Sequence, residues 1–298
     1  MRQVLSDRKA ICIFLLPALI LFVSVVIIPI GISFYFSLLK WDGIGQGEMV
    51  GFANYVKLFT GKTSNFWKAA GNSFLYAAVS MCIQLPFSLL LALILSNGIK
   101  LESFYRNVFF IPVIISTVVI GQLWMKIYNN DYGLLNSLLR SLGLESWTRI
   151  WLGDKSTVLG ATFVPMLWQY VGYHLLLMYG AIKSIPQDLY EAAKIDGASQ
   201  TRTAVSITIP LMKPMLKVCA TFSLIGSLKI FDLIFVLTGG GPSGASEVPA
   251  TLMYRTIFLK NQYGYGSSIA MFIVLECLVL SWVIQRLFAE RAKKGVSL

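Results

Sequence analysis

The sequence predicts an all-α polytopic membrane protein, and three observations carry that prediction. Of its 298 residues, 56% are hydrophobic and 13% charged, the mean hydropathy is +0.70, and the apolar residues gather into long runs. Soluble domains carry about 25% charged residues, so a water-soluble globule is excluded. Six runs stand out, at roughly 11–36, 70–96, 107–128, 158–182, 215–237 and 267–288. Each approaches or exceeds the ~20 helical residues that cross about 30 Å of hydrocarbon. The expectation is six transmembrane helices in one domain spanning 1–298, with both termini on one side.

The first run follows Arg2, Arg8 and Lys9. It is longer than a signal-peptide core and lacks a small-residue cleavage site, so it reads as a retained helix. Between the spans, three loops carry Trp41, Trp67, Trp147 and Trp151, aromatic residues suited to the membrane interface. The termini, the segment near 98–106 and the segment 183–217 hold about 14 basic and 6 acidic residues, against about 10 and 6 in the three opposite loops. The more basic side, with both termini, is expected to be cytoplasmic. The net charge of +11 then reads as orientation and contact with anionic lipid, not as a nucleic-acid footprint.

Several chemistries find no support. Cys12, Cys82, Cys219 and Cys277 lie in apolar runs with no Cys-x-x-Cys spacing and read as small buried hydrophobes. The single histidine, His174, builds no metal cluster, and no metal site is expected. Thr60-Gly61-Lys62-Thr63-Ser64 resembles the end of a phosphate-binding loop, but Val56 stands where its first glycine is required. The clusters Gly43-Ile44-Gly45 and Gly264-Tyr265-Gly266 lack the third glycine of a dinucleotide fingerprint. Neither catalytic residues nor a cofactor bound by this chain are expected.

Between the fourth and fifth runs lies a segment of about 35 residues, longer than connections in compact folds usually are. Ser184-Ile185-Pro186-Gln187 has the spacing of a capping box, predicting that Ser184 accepts from the first-turn amides. The helix so begun runs to Gly197, the residue that most readily ends one in the left-handed conformation. A second helical stretch starts at Ala198 and is broken by Pro210 and Pro214. Leu189, Ala193 and Asp196 fall at helical spacings, so one face is expected to pack on a partner, while Glu191 and Lys194 fix its angle.

Tyr190-Glu191-Ala192-Ala193-Lys194-Ile195-Asp196-Gly197-Ala198, followed by Ile209-Pro210-Leu211, resembles the EAA loop of permease subunits from bacterial ABC importers. Thr238-Gly239-Gly240-Gly241-Pro242 resembles the Thr-Gly-Gly-Gly-Pro signature of the carbohydrate-uptake subfamily of maltose and glycerol-phosphate type, and specifically the first of its two unlike permeases. The resemblance implies a type I importer permease in the bacterial inner membrane, with a cytoplasmic coupling helix between helices four and five. The ATPase-coupling residues would be Glu191, Ala192, Ala193, Asp196, Gly197 and Ala198. Gly239, Gly240, Gly241 and Pro242 would lie where an external solute-binding protein docks. The implied partners are a second permease, two ATPase subunits that hold ATP and Mg, the binding protein and the surrounding lipid. The chain itself is implied to be a transport subunit, not an enzyme.

Polar groups inside apolar runs usually face a cavity or a partner. Trp168, Gln169, Tyr170, Tyr173 and His174 in the fourth run and Ser223 and Ser227 in the fifth combine aromatic faces with hydrogen-bonding groups, the chemistry that suits a carbohydrate, whether oligosaccharide, monosaccharide or polyol. The resemblance implies that Tyr170, Tyr173, Ser223 and Ser227 stand nearest the sugar-contacting positions, with Gln169 beside them. Helix packing alone is an equal reading of the Tyr170 and Tyr173 pair. For Lys229 and Asp232, three apart, an ion pair on one helix is favoured over ligand binding. For His174, a hydrogen-bonded interior position is favoured over a proton relay. The glycine run at 239–241 has a flexible loop as its rival reading. Asp232, Glu276 or His174 as an ion site would define the alternative function, a secondary transporter driven by an ion gradient.

Overall fold

The computed structural model describes residues 8–61 and 65–294, with side chains over 13–61 and 65–288. Arg2 and most of the 60–64 stretch fall outside the described residues, and the Cys12 side chain falls outside the described side chains. The architecture is all-α apart from a minimal antiparallel pairing of β1 (Leu39–Lys40) with β2 (Glu48–Met49).

In chain order the helices are α1 (Ile13–Ser37), α2 (Ala53–Thr60), α3 (Phe66–Ser96), α4 (Glu102–Ile114), α5 (Thr117–Ile127), α6 (Leu134–Ser141) and α7 (Val158–Lys183). There follow α8 (Gln187–Ile195), α9 (Gln200–Thr203), α10 (Lys213–Leu228), α11 (Asp232–Leu237), α12 (Pro249–Tyr254) and α13 (Tyr263–Lys294).

The expected six spans are corrected by this structure. Among the described residues, four helices are long and apolar enough to cross a membrane: Ile13–Ser37, Phe66–Ser96, Lys213–Leu237 and Tyr263–Phe288. The number rises to five if α4 and α5, bent by 98° at a short break, form one span. The third apolar run is therefore two helices, because Ile115 and Ser116 take extended backbone with ψ of 137° and 134°. The fourth run does form a helix of 26 residues, but Trp168, Gln169, Tyr170, Tyr173 and His174 dilute its apolar character. An even number of crossings was the basis for placing both termini together; four crossings keep that parity and five do not.

Three prolines shape the helices in the same way. Pro29, Pro86 and Pro210 follow widened π-helical turns at Val23–Ile27, Ser80–Gln84 and Ala204–Thr208, each centred four residues before its proline. Proline lacks an N–H and its ring presses on the carbonyl four residues back. The residue preceding each proline donates instead to the fifth carbonyl back: Ile28 to Val23, Leu85 to Ser80 and Ile209 to Ala204. The helix continues, with one wide turn that re-aims its side chains.

The chain divides into two compact units. One comprises Met1–Ser64 and Leu252–Val274. In it, Asn54 Nδ2 donates to the carbonyls of Ser37 and Leu39 at 2.8 Å each, holding α2 to the end of α1. Trp41 packs its ring between Phe36 and Tyr263 at centroid distances of 4.6 and 5.5 Å.

The other unit comprises Asn65–Thr251 and Leu275–Leu298. One of its core clusters gathers Met178, Ile182, Ile185, Met212, Leu224, Leu228 and Ile284, and a second gathers Tyr76, Ile120, Met166, Leu233, Ile234, Leu237 and Val248. Helix α7 is central: a Cβ at its Gly172 would strike the Phe109 carbonyl of α4, so this close approach requires glycine. Of the cysteines, Cys219 is buried as expected, whereas Cys82 is exposed on α3.

Candidate functional site

Four of the second unit's segments converge on a cavity of about 480 Å³, within the range of small-molecule sites. The widened turn of α3 supplies Ser80 and Gln84, while Val113 and Thr117 flank the α4–α5 break. Met166, Tyr170, Tyr173 and His174 come from α7. Helix α10 adds Phe222, Ser223 and Ser227, and the interruption between α10 and α11 adds Lys229, Phe231 and Asp232. Two broken helices thus open at one place, the arrangement by which membrane proteins expose backbone and polar groups to a cavity without exposing them to lipid.

The polar wall is partly paired and partly open. Ser80 and Ser223 share a hydrogen bond between their hydroxyls at 2.5 Å, and Ser80 also donates to Gln84 Oε1. Gln84 Nε2 and His174 Nδ1 are buried with no protein partner among the described residues. Tyr173 sits between the His174 and Phe222 rings, at centroid distances of 5.3 and 6.5 Å. The walls therefore set aromatic faces beside hydroxyl groups, with two unpaired nitrogens buried among them.

Of the five residues expected from sequence to meet a ligand, Tyr170, Tyr173, Ser223 and Ser227 line this cavity together. Gln169 does not: it is 2% exposed, and its Nε2 donates to Thr117 Oγ1 at 3.0 Å, which supports a wall residue from behind. The favoured reading of Lys229 and Asp232 is corrected. Helix α10 stops at Leu228 and α11 restarts at Asp232, so the two do not share one helix turn, and they form no ion pair among the described residues. His174 likewise lacks the hydrogen bond expected of an interior histidine at Nδ1. Glu276 lies away from the cavity lining, buried on α13, where it accepts from Ser73 at 3.3 Å. Ser80, Gln84 and Thr117 were not anticipated; the one signal for the first two was Pro86, which dictates the wide turn that aims them.

The 183–217 segment forms a bend outside the cavity. Its first helix begins at Gln187, not Ser184, and the capping box is absent. Ser184 retains helical backbone as the last cap of α7, and its hydroxyl turns back to the Ala181 carbonyl at 2.7 Å. Gly197 ends α8 at φ +72°, with the Ala198 amide bonding the Ala193 carbonyl at 2.9 Å, the geometry of a Schellman stop. Ser199 caps α9 by accepting from the Arg202 amide at 3.3 Å.

Ile185 and Met212 anchor the two ends of this bend in the core, and Tyr190 bonds Thr208 at 3.2 Å across it. Ala193, expected on the partner face, is 7% exposed and packs inward, because the α8 face that carries Tyr190 turns toward its own chain. Glu191, Ala192, Asp196 and Gly197 are exposed, Ala198 is half-buried, and Ile195 is 86% exposed.

The 238–248 loop is folded on itself. Thr238 Oγ1 meets Ser246 Oγ at 2.8 Å and accepts from the Gly240 amide at 3.1 Å, while Ser246 donates to the Gly241 carbonyl at 2.7 Å. Asn72 of α3 donates to the carbonyls of Ala245 and Glu247 at 3.0 and 2.8 Å. Gly240 is buried, with Gly239, Gly241 and Pro242 half-buried around it. A flexible loop is not what these bonds describe.

Residues 84–294 match the model of the family described as binding-protein-dependent transport system inner membrane component. The chain is 40% identical over 279 residues to the probable ABC transporter permease protein YurN of Bacillus subtilis, covering 93% of this chain and 94% of that one. It is 34% identical over 289 residues to the trehalose/maltose transport system permease protein MalF of Thermococcus litoralis, covering 97% and 96%. In fold it is similar to a chain in the crystal structure of a bacterial ABC transporter involved in the import of the acidic polysaccharide alginate. There the TM-score is 0.80 at 24% identity, with 93% of this chain and 94% of that chain covered.

Proposed function

This chain belongs to the family of binding-protein-dependent transport system inner membrane components and is a permease subunit of an ABC importer, not an enzyme; from that premise we propose that its cargo is a carbohydrate and that the 480 Å³ cavity is where the cargo passes. The observation that carries this reading is the cavity wall: ring faces from Tyr170, Tyr173 and Phe222 beside the hydroxyls of Ser223 and Ser227. Sugar C–H faces stack on rings, and sugar hydroxyls need both donors and acceptors. The trehalose/maltose permease to which the chain is similar supports the same cargo class.

In this reading the subunit is the first permease of a heterodimer and takes its cargo from a solute-binding protein. The 183–217 bend is an EAA loop on the cytoplasmic side, seated on one of two ATPase subunits that hold ATP and Mg. What supports that role is the bend's construction: anchored at Ile185 and Met212, it presents Glu191, Ala192, Ile195 and Asp196 outward. Closure of the ATPases would then move a rigid bend, and through it α7 and α10, which both reach the cavity.

The test is uptake of a radiolabelled disaccharide by proteoliposomes holding both permeases, the ATPases and the binding protein. The expected result is uptake that requires ATP and is indifferent to proton or sodium gradients. Uptake that follows a gradient without ATP would overturn the coupling assignment, and failure of every sugar supplied would overturn the cargo class.

A further inference from the structure

Two charged side chains line the cavity without a partner of opposite charge among the described residues. Lys229 and Asp232 flank the α10–α11 interruption and line the cavity, inside a stretch apolar enough to span a membrane. Neither forms an ion pair with any described residue. A charge at membrane depth is costly unless it faces water, a cavity or an opposite partner. Here the two charges are of opposite sign, and no other Lys, Arg, Asp or Glu is among the lining residues. The wall is thus charged at two points and neutral in sum.

That balance has a chemical consequence. An anionic sugar gains beside Lys229 what it loses beside Asp232, and it gives up the hydration of its carboxylate to enter. A cationic sugar meets the mirror image. A neutral polyol suffers neither repulsion: one hydroxyl donates to the Asp232 carboxylate, and another accepts from the Lys229 ammonium. Both are charge-assisted hydrogen bonds, stronger than neutral ones.

We propose that Lys229 and Asp232 are specificity-determining residues that restrict this cavity to sugars of zero net charge and grip them by their hydroxyls. The inference rests on the reading of the cavity as the carbohydrate path.

The test is equilibrium dialysis on the purified full importer with three labelled probes: cellobiose, a cellobiose analogue carrying a uronate, and the glucosamine disaccharide. Wild type should favour cellobiose over both charged probes by about tenfold, because the two charge interactions cancel and the hydration given up by the probe's own charge is left uncompensated. D232N should shift preference toward the uronate, and K229Q toward the amino sugar, each by about tenfold. The double variant, neutral again, should return to cellobiose.

Equal weakening of all three probes by every variant overturns the filter. So does loss of the second permease on purification with probe preference unchanged, which assigns the pair to that interface. Wild type that binds the uronate as well as cellobiose overturns it without any variant. No probe binding at all overturns the carbohydrate reading itself, whereas cellobiose binding with unaltered charge preference overturns the filter alone.

Discussion

Two segments of this chain, 238–248 and 187–199, are both built around glycine, yet one is closed on itself and the other is open. In the first, Gly240 is buried and the loop's hydroxyls and carbonyls are bonded to one another and to Asn72. In the second, backbone bonds close the turn at Gly197, while the side chains of Glu191, Ile195 and Asp196 are left exposed. A glycine-centred segment can therefore be closed by bonds within its own chain or leave its side chains exposed. Burial and hydrogen bonding separate the two cases. Substitutions sharpen the contrast: those in the closed loop should cost stability, and those on the open face should cost coupling.

The largest loss of stability is expected from Gly240→Val. Its φ of +83° is a conformation that β-branched residues avoid, and an added Cβ would stand 2.8 Å from Glu247 Oε1. Backbone strain and overpacking together cost about 2–4 kcal/mol. The expected outcome is a marked fall in the apparent Tm of the detergent-solubilised importer and in the amount inserted. Unchanged melting would remove the claim that this loop is structurally closed.

Asn72→Leu comes next. It keeps the side-chain size on α3 and deletes the two bonds to the Ala245 and Glu247 carbonyls, leaving both buried acceptors without that donor. The cost is about 2 kcal/mol, since each unmade buried hydrogen bond is worth about 1 kcal/mol or more. Thermal melting should register it, and protease cleavage within 238–248 should become faster while cleavage within 187–199 does not. Equal acceleration at both segments would mean that the two are not independent.

How much of this was legible in the sequence follows from what each signal averages over. Apolar runs were readable because spans are long and lipid-facing helices need no pattern. The breaks inside them were not, because a few residues at 115–116 or 229–231 hardly alter the mean of a 20-residue window. The same averaging concealed that α7 is too polar to count with the others. Tyr170, Tyr173, Ser223 and Ser227 were legible as polar groups in apolar surroundings. Ser80 and Gln84 belonged to the same class and were passed over, because their orientation depends on the wide turn imposed by Pro86. The Ser184 box failed for a related reason: α7 keeps its helical backbone through Ser184, so the hydroxyl was already committed backward to Ala181.

The smallest stability change, and the sharpest test of the comparison, belongs to Ile195→Asp. The side chain is 86% exposed at the last turn of α8 and contributes to no core cluster, so its removal should shift folding by no more than ~0.5 kcal/mol. If α8 seats on an ATPase subunit as proposed, the exposed Ile195 between Glu191 and Gly197 is the apolar group that this partner would cover. A carboxylate there would be desolvated against the same partner surface without a cation to meet it. Melting and insertion should match wild type, while cargo-stimulated ATP hydrolysis falls and the ATPase subunits are lost more readily during purification. If hydrolysis and subunit retention are untouched, the exposed face of α8 does not carry the contact, and the open segment would be open for no partner.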